Sequence, residues 1–173
     1  YYQFNFIYNY YKSLLNKYVF NIFFNLKYGG IYNFFDFYPF FKNYYLGGAR
    51  GIRGFEEKSL GPKIDKGDKK IVLGGNFSFL FKFSFFISNT LKNVTNIRTG
   101  VFFDLGQVYD TISNRSYNME HVINPLIIKG WVGIVFICNS PLVLPLEISL
   151  AKPLNVESFE KLKNVNCTLG TKF

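Results

Sequence analysis

Apolar and polar residues alternate along most of the chain, which is the pattern of β-strands that have one apolar face. The alternation is clearest at 76–87, where one face consists of five phenylalanines and an isoleucine. The opposite face carries Asn, Ser and Lys residues, with Leu80 and Phe86 as apolar exceptions. Segment 130–138 is apolar on both faces, and five further segments alternate: 2–10, 18–28, 97–109, 142–151 and 164–173. The pattern therefore predicts seven strands.

The predicted strands resemble membrane-spanning strands in length and in side-chain distribution. A tilted strand that crosses a bilayer has about 9–11 residues. The apolar faces are continuous and aromatic, and the opposite faces are mostly small and uncharged, as in a water-filled lumen. A soluble β-sandwich, with a charged outer face, is the alternative. We therefore predict an all-β, antiparallel transmembrane β-barrel, in which Lys82 faces the lumen and Cys138 and Cys167 face lipid.

The connections between these strands alternate in length. Segments 31–73 and 110–129 are long and 153–163 is intermediate, whereas the other connections are short. Outer-membrane barrels have short periplasmic turns and longer external loops, so the long segments are predicted to be external. Seven strands cannot close, since bacterial barrels have an even number from eight upward. We therefore expect 1–173 to be the C-terminal portion of a larger barrel, with a long external loop at 31–73.

The composition excludes several classes of protein. Aromatic residues make up 21% of the 173 residues, which argues against disorder because so much surface can be buried. Two Cys and one His, His121, exclude a disulfide framework and leave little for a zinc site. The richness in Asn, Lys, Ile, Phe and Tyr indicates codon bias, so the net charge of +9 does not indicate a nucleic-acid partner. We expect no metal and no cofactor.

The long loop contains a glycine-rich motif, YLGGARGIRGF at 45–55. Its spacing is not that of a dinucleotide-binding loop, and no helical pattern follows it. An irregular loop that uses the positive φ of glycine would explain the glycines. It would not explain the Arg-Gly-Phe sequence at Arg53, Gly54 and Phe55.

The motif resembles the sixth external loop of the outer-membrane assembly-factor family, the BamA family, whose core is Val-Arg-Gly-Phe. Other matches follow in order along most of the chain. They are PFFKNYYLGG at 39–48, GGN at 74–76, FDLGQVYD at 103–110, SP at 140–141, AKPLN at 151–155 and LGTKF at 169–173. The resemblance implies a sixteen-stranded barrel, of which this chain would supply strands ten to sixteen, together with N-terminal POTRA repeats that lie outside it.

The resemblance also implies a site inside the barrel. The motif loop would fold into the lumen, where Arg53 would contact Asp104, which alternation independently places on the lumen-facing side. A solvated carboxylate is the alternative for Asp104. A second acidic position of the family matches Ser84 here, so Asp104 would serve alone or Glu147 would substitute.

The resemblance also implies roles for the other residues of the motif and for the terminal strand. Gly54 would let the backbone pass close to the wall, and Phe55 would pack under the loop. Gly170 and Phe173 would belong to a terminal seam strand. Trp131 is left open between an interfacial belt and the lumen.

The resemblance implies insertion of β-barrel proteins into a bacterial outer membrane, or a mitochondrial or plastid one, by strand exchange at a lateral seam. The implied partners are membrane lipid, unfolded β-barrel clients and periplasmic accessory proteins. A secretion channel of the same superfamily is the alternative; two POTRA repeats with a plug helix upstream would favour it. We expect no enzyme, because no Ser/His/Asp arrangement surrounds His121.

Overall fold

The computed structural model describes residues 1–15, 17–32, 38–66, 69–88, 97–112, 122–123, 128–138, 145–156 and 161–170. One short 3₁₀ helix, Phe40–Lys42, lies in the long loop. The strands are β1 (Tyr2–Leu14), β2 (Tyr18–Gly30), β3 (Lys63–Lys66), β4 (Lys69–Val72), β5 (Phe77–Ser88), β6 (Ile97–Tyr109), β7 (Val122–Ile123), β8 (Lys129–Cys138), β9 (Leu146–Pro153) and β10 (Val165–Leu169). The described part of the chain contains no helix that is long and apolar enough to cross a bilayer.

Seven of the strands form one antiparallel sheet in the order β1-β2-β5-β6-β8-β9-β10. Each strand of this sheet lies beside the sheet strand that follows it in the chain. The sheet therefore has the up-and-down arrangement expected of a barrel wall. The prediction of an all-β fold with seven wall strands is confirmed. Strand β10 spans Val165–Leu169 and is followed by Gly170, whose φ is +77°; residues 171–173 of the predicted strand 164–173 lie outside the described residues.

A second sheet, which the sequence analysis does not predict, has three strands in the order β4-β3-β7. Its hairpin β3–β4 lies inside the long loop 31–73, and the two-residue strand β7 comes from the next long connection. These strands have four residues or fewer, so they are too short for a period-two pattern to indicate them. The two longest loops are therefore joined by main-chain pairing.

The large sheet has two different faces. Its outer face is aromatic: Tyr28, Phe77 and Tyr109 lie in register on β2, β5 and β6. Ring centroids in this row are 6.5 Å and 6.2 Å apart. Cys138 and Cys167, which are exposed, share the outer face, as the alternation predicts.

The inner face is the one against which the long loop packs. It carries polar residues such as Asn21, Ser84 and Asp104, but it is less polar than the sequence predicts. Leu80 packs in a buried cluster with the loop, and Phe86 packs in a second cluster along the wall. Leu80 is therefore covered by the loop, whereas Phe86 is buried against other residues of the wall.

Candidate functional site

The motif loop, residues 46–60, closes on itself before it meets the wall. Leu46 and Leu60 pair through two main-chain hydrogen bonds, with N–O distances of 3.4 Å and 3.1 Å. Gly47 and Gly48 have φ values of +105° and +83°, which L-residues with a side chain rarely adopt. Ile52 and Phe55 are fully buried within the cluster that the loop forms with the wall. The loop is thus a compact, packed unit that presents Arg53 to the inner face.

Arg53 and Asp104 form a bidentate ion pair inside the protein. The Arg53 Nε donates to Oδ2 of Asp104 at 2.8 Å, and Nη2 donates to Oδ1 at 2.7 Å. The backbone N–H of Arg53 also donates to Oδ2, at 3.1 Å. Arg53 is 5% exposed and Asp104 is fully buried. The structure therefore contains the contact that the resemblance implies, and Asp104 is not a solvated carboxylate.

Three further wall residues surround the guanidinium. Nη1 of Arg53 donates to Oε1 of Glu147 at 3.4 Å, and Nη2 lies 3.4 Å from the Ser84 hydroxyl oxygen. The Phe102 ring lies under the guanidinium, with 3.7 Å between its centroid and Cζ. Glu147 thus supplies the second carboxylate, while Ser84 contributes a neutral oxygen. The sequence analysis missed Phe102, although it stands two residues before Asp104 and so shares its face.

The charge of Arg53 is stabilised by its surroundings. Burial by itself would lower the pKa of the guanidinium, because a charge is poorly solvated in the interior. The negative charges and hydrogen bonds of Asp104 and Glu147 outweigh burial, and the pKa of Arg53 is raised above its usual value. Arg53 is therefore positively charged at neutral pH.

Gly54 lets the loop backbone lie directly on the ring of Trp131. Its φ is +102°, and a Cβ atom at this position would lie 2.1 Å from Cε3 of that ring. Phe55 packs edge-to-face on the same ring, with centroids 5.1 Å apart. Trp131 is fully buried on the inner face, so it fills the lumen and does not belong to an interfacial belt.

The motif also pairs with the segment that leads into β10. The Lys163 N–H donates to the Gly54 carbonyl at 2.7 Å, and the Glu56 N–H donates to the Lys161 carbonyl at 3.1 Å. Phe55 and Leu162 form the bridge between these two bonds. The connection before β10 has no alternation of apolar and polar residues from which this pairing could be predicted. The loop is therefore joined to the segment just before β10 as well as to the wall.

Of the two residues predicted for the seam strand, the structure describes Gly170 but not Phe173. The Gly170 N–H donates to the Pro145 carbonyl at 2.9 Å, which continues the pairing of β10 with β9. Phe173 and His121 lie outside the described residues. Gly170 lines the same cavity as Arg53 and Glu147.

Beneath the motif loop lies a cavity of about 510 Å³. Its lining residues are mostly polar and include Arg50, Lys82, Glu147 and Thr168. In the described residues no group of three or more His, Cys, Asp or Glu side chains is placed to bind a metal ion. The contacts of Arg53 with β5, β6 and β9 can hold the motif loop against these three wall strands, because the charge of Arg53 is paired with carboxylates of the wall.

Comparison with known proteins gives three findings. The family model for the Omp85 superfamily domain matches residues 1–173. Over 74 residues, which are 42% of this chain and 9% of the relative, the chain is 38% identical to the outer membrane protein assembly factor BamA of Neisseria meningitidis serogroup B. The structure matches that of BamA from Haemophilus ducreyi lacking POTRA domains 1–3 with a TM-score of 0.77.

The extent of the structural match defines what it shows. It covers 95% of this chain and 33% of the Haemophilus chain, at 24% sequence identity. At that identity the likeness shows the fold: the seven-stranded sheet is part of a barrel of this type. The chain spans about a third of that solved structure and less than a tenth of the Neisseria protein.

Proposed function

The chain belongs to the Omp85 superfamily, and from this we propose that it is part of a machine that folds and inserts other β-barrel proteins into a bacterial outer membrane. The observation that carries the proposal is the buried contact of Arg53 with Asp104 and Glu147. It holds an external loop inside the barrel and beside the last strand. The relative in Neisseria is named as an outer membrane protein assembly factor, which agrees with this assignment.

The proposed mechanism is strand exchange at the edge formed by β10. In the described residues this strand pairs with β9 through five residue pairs, and its other side is an edge of the seven-stranded sheet. An exposed edge accepts a new strand by main-chain hydrogen bonds. A client strand would therefore add at β10 without covalent chemistry, so no catalytic residue and no cofactor is proposed.

The motif loop would confine the opening to that edge. Arg53 joins β6 to β9 through Asp104 and Glu147, so these strands cannot separate without breaking a buried ion pair. Breaking such a pair is unfavourable by about 3–5 kcal/mol when one partner is removed. The proposed partners are lipid, unfolded β-barrel clients and periplasmic accessory proteins of an assembly complex.

A reconstitution experiment tests the proposed activity. The full-length protein that contains this chain is placed in liposomes, and a urea-denatured outer-membrane barrel protein is added. We expect the client to fold faster than in empty liposomes, as measured by its heat-modifiable mobility on gels. Arg53→Ala should bring the rate close to that of empty liposomes, and Arg50→Ala, an exposed arginine of the same loop, should not.

The outcome of the same experiment separates insertion from secretion. If the full-length protein does not accelerate client folding but carries a soluble polypeptide into a protease-protected lumen, the secretion channel is the correct function. If it does neither, the proposed activity is wrong.

The two exposed cysteines offer a matched test of strand exchange. Cys167 lies on β10 and Cys138 lies on β8, which is paired on both sides by β6 and β9. With Cys138→Ser, a client that carries one cysteine in its terminal strand should form a disulfide with Cys167, because disulfides need Cα atoms about 5.5–6 Å apart. With Cys167→Ser the remaining Cys138 should not react. Equal yields from both variants would contradict addition at β10.

A further inference from the structure

Strand β5 contributes to the loop site in a different way from β6 and β9. Those two strands offer carboxylates to Arg53, whereas β5 offers the neutral hydroxyl of Ser84 at 3.4 Å. Two residues earlier, on the same inner face, β5 carries Lys82. Its Nζ donates to the carbonyl oxygens of Ala49 and Arg50, at 3.3 Å and 3.2 Å. A wall cation therefore contacts the backbone of the loop.

We propose that Lys82 is a second positioning residue of the motif loop, which attaches the loop tip to β5 by donating hydrogen bonds to main-chain carbonyls. At β6 and β9 the loop supplies the cation and the wall supplies the anions. At β5 the direction is reversed, with the donor on the wall and the acceptors on the loop. An ammonium group has three donors, so it can bind two adjacent carbonyl oxygens at once. A neutral side chain of similar length would not give these oxygens a charge-assisted hydrogen bond.

The charges of the site are consistent with this assignment. Lys82 lies opposite Asp104 in the register of β5 and β6, so it adds a second cation beside Arg53. Asp104 and Glu147 supply two negative charges, and the four groups together are neutral. Two cations close to each other would repel without these acids. The negative charge of Glu147 thus balances the positive charge of Lys82 on the inner face.

The two attachments are at different places in the loop. Arg53 holds its centre against β6 and β9, and Lys82 holds the turn at 48–51, where the Gly51 N–H donates to the Gly48 carbonyl at 3.0 Å. Removal of Lys82 should therefore release the tip of the loop while the ion pair of Arg53 with Asp104 remains. This inference concerns how the loop is held, so it does not depend on whether the protein inserts clients.

Limited proteolysis tests the proposal without any client. The full-length protein in liposomes is treated from outside with an arginine-specific protease, and the cleavage after Arg50 is followed by mass spectrometry. The protease cannot enter a barrel lumen, so this cleavage reports departure of the loop tip from the wall. Lys82→Met should raise the cleavage rate roughly tenfold or more, as expected for a lost hydrogen bond to a charged group. Lys82→Arg should keep the rate close to that of the parent protein.

Two variants make the result specific. Lys152→Met removes an exposed lysine on β9 and should leave the rate unchanged. Lys82→Gln keeps a neutral donor at this position and should give a cleavage rate between those of the parent protein and Lys82→Met. If Lys82→Met does not fold, shown by loss of heat-modifiable mobility, the Lys82→Gln protein is compared with the parent instead. Parental cleavage in Lys82→Met, or in Lys82→Gln where Lys82→Met does not fold, would overturn the proposal.

Discussion

Arg53 illustrates why the identity of one side chain matters at this site. Its planar group makes two parallel hydrogen bonds to Asp104, a third contact to Glu147 and a stacking contact on Phe102. A lysine has one ammonium group and cannot make the two parallel bonds while lying flat on a ring. The geometry therefore requires arginine and not only a positive charge.

Removal of the pair should show strong coupling between its two members. We expect Arg53→Ala and Asp104→Ala each to lower the free energy of unfolding by about 3–5 kcal/mol, because each leaves a buried charge without its partner. The double variant should lose less than the sum, with a coupling of about 0.5–3 kcal/mol. Urea titration of the full-length protein in detergent measures all three values. Additive losses would show that the two residues do not stabilise each other.

Gly54 is a second position at which one atom decides the structure. Gly54→Ala should lower stability by about 1–3 kcal/mol from the backbone alone, because its φ is positive. The contact of the new methyl with the Trp131 ring should add to this loss. Gly130→Ala is the control, because its Cβ would meet the end of the flexible Leu154 side chain at 3.2 Å. Thermal unfolding that ranks the two variants equally would contradict this account.

At the scale of elements, the motif loop is joined to the chain before β10 by main-chain pairing. The bonds of Lys163 to Gly54 and of Glu56 to Lys161 lie on either side of the Phe55–Leu162 bridge. The last strand is thus held by β9 on one side and, just ahead of its start, by the loop. Under the proposed mechanism, movement of the loop and opening of the edge would therefore be coupled.

Loss of one of these bonds should loosen the last strand. Lys163→Pro removes the N–H that donates to Gly54, so we expect faster amide hydrogen exchange in a peptide that covers 161–170. Val156→Pro, at an exposed position of the same connection, should leave that exchange unchanged. Unchanged exchange in Lys163→Pro would mean that the pairing does not stabilise β10.

At the scale of the whole molecule, the seven-stranded sheet has two edges, β1 and β10, and a barrel has none. Backbone groups at an edge within the hydrocarbon of a bilayer would be left without hydrogen bonds, which is unfavourable by several kcal/mol for each group. The sheet seen here therefore needs further strands to complete the wall in a membrane.

Refolding of residues 1–173 alone tests this requirement. We expect the isolated segment to give no heat-modifiable, protease-resistant form in liposomes, whereas the full-length protein should give one under the same conditions. A stable, monomeric form of the isolated segment would show that its edges can be satisfied without other strands.

The seven wall strands and the faces on which their side chains lie follow from the amino-acid sequence alone. Side chains in a strand point alternately to opposite sides whatever their neighbours are, so the rows of Phe77 to Phe85 and the inward direction of Lys82 and Asp104 follow from position alone. The position of Arg53 in the lumen was implied by the family resemblance, which depends on the specific residue types of the motif around it.

Apart from the Arg53–Asp104 contact that the family resemblance implies, the contacts between distant residues follow from the tertiary structure. Arg53 lies 51 positions from Asp104 and 94 from Glu147, and their contacts depend on the register of several strands. The inward position of Trp131, the pairing at 161–163 and the Lys82 contacts with loop carbonyls depend on how the loop folds back. Local alternation carries no information about such distances, because each contact is set by the packing of a loop against a wall formed elsewhere in the chain.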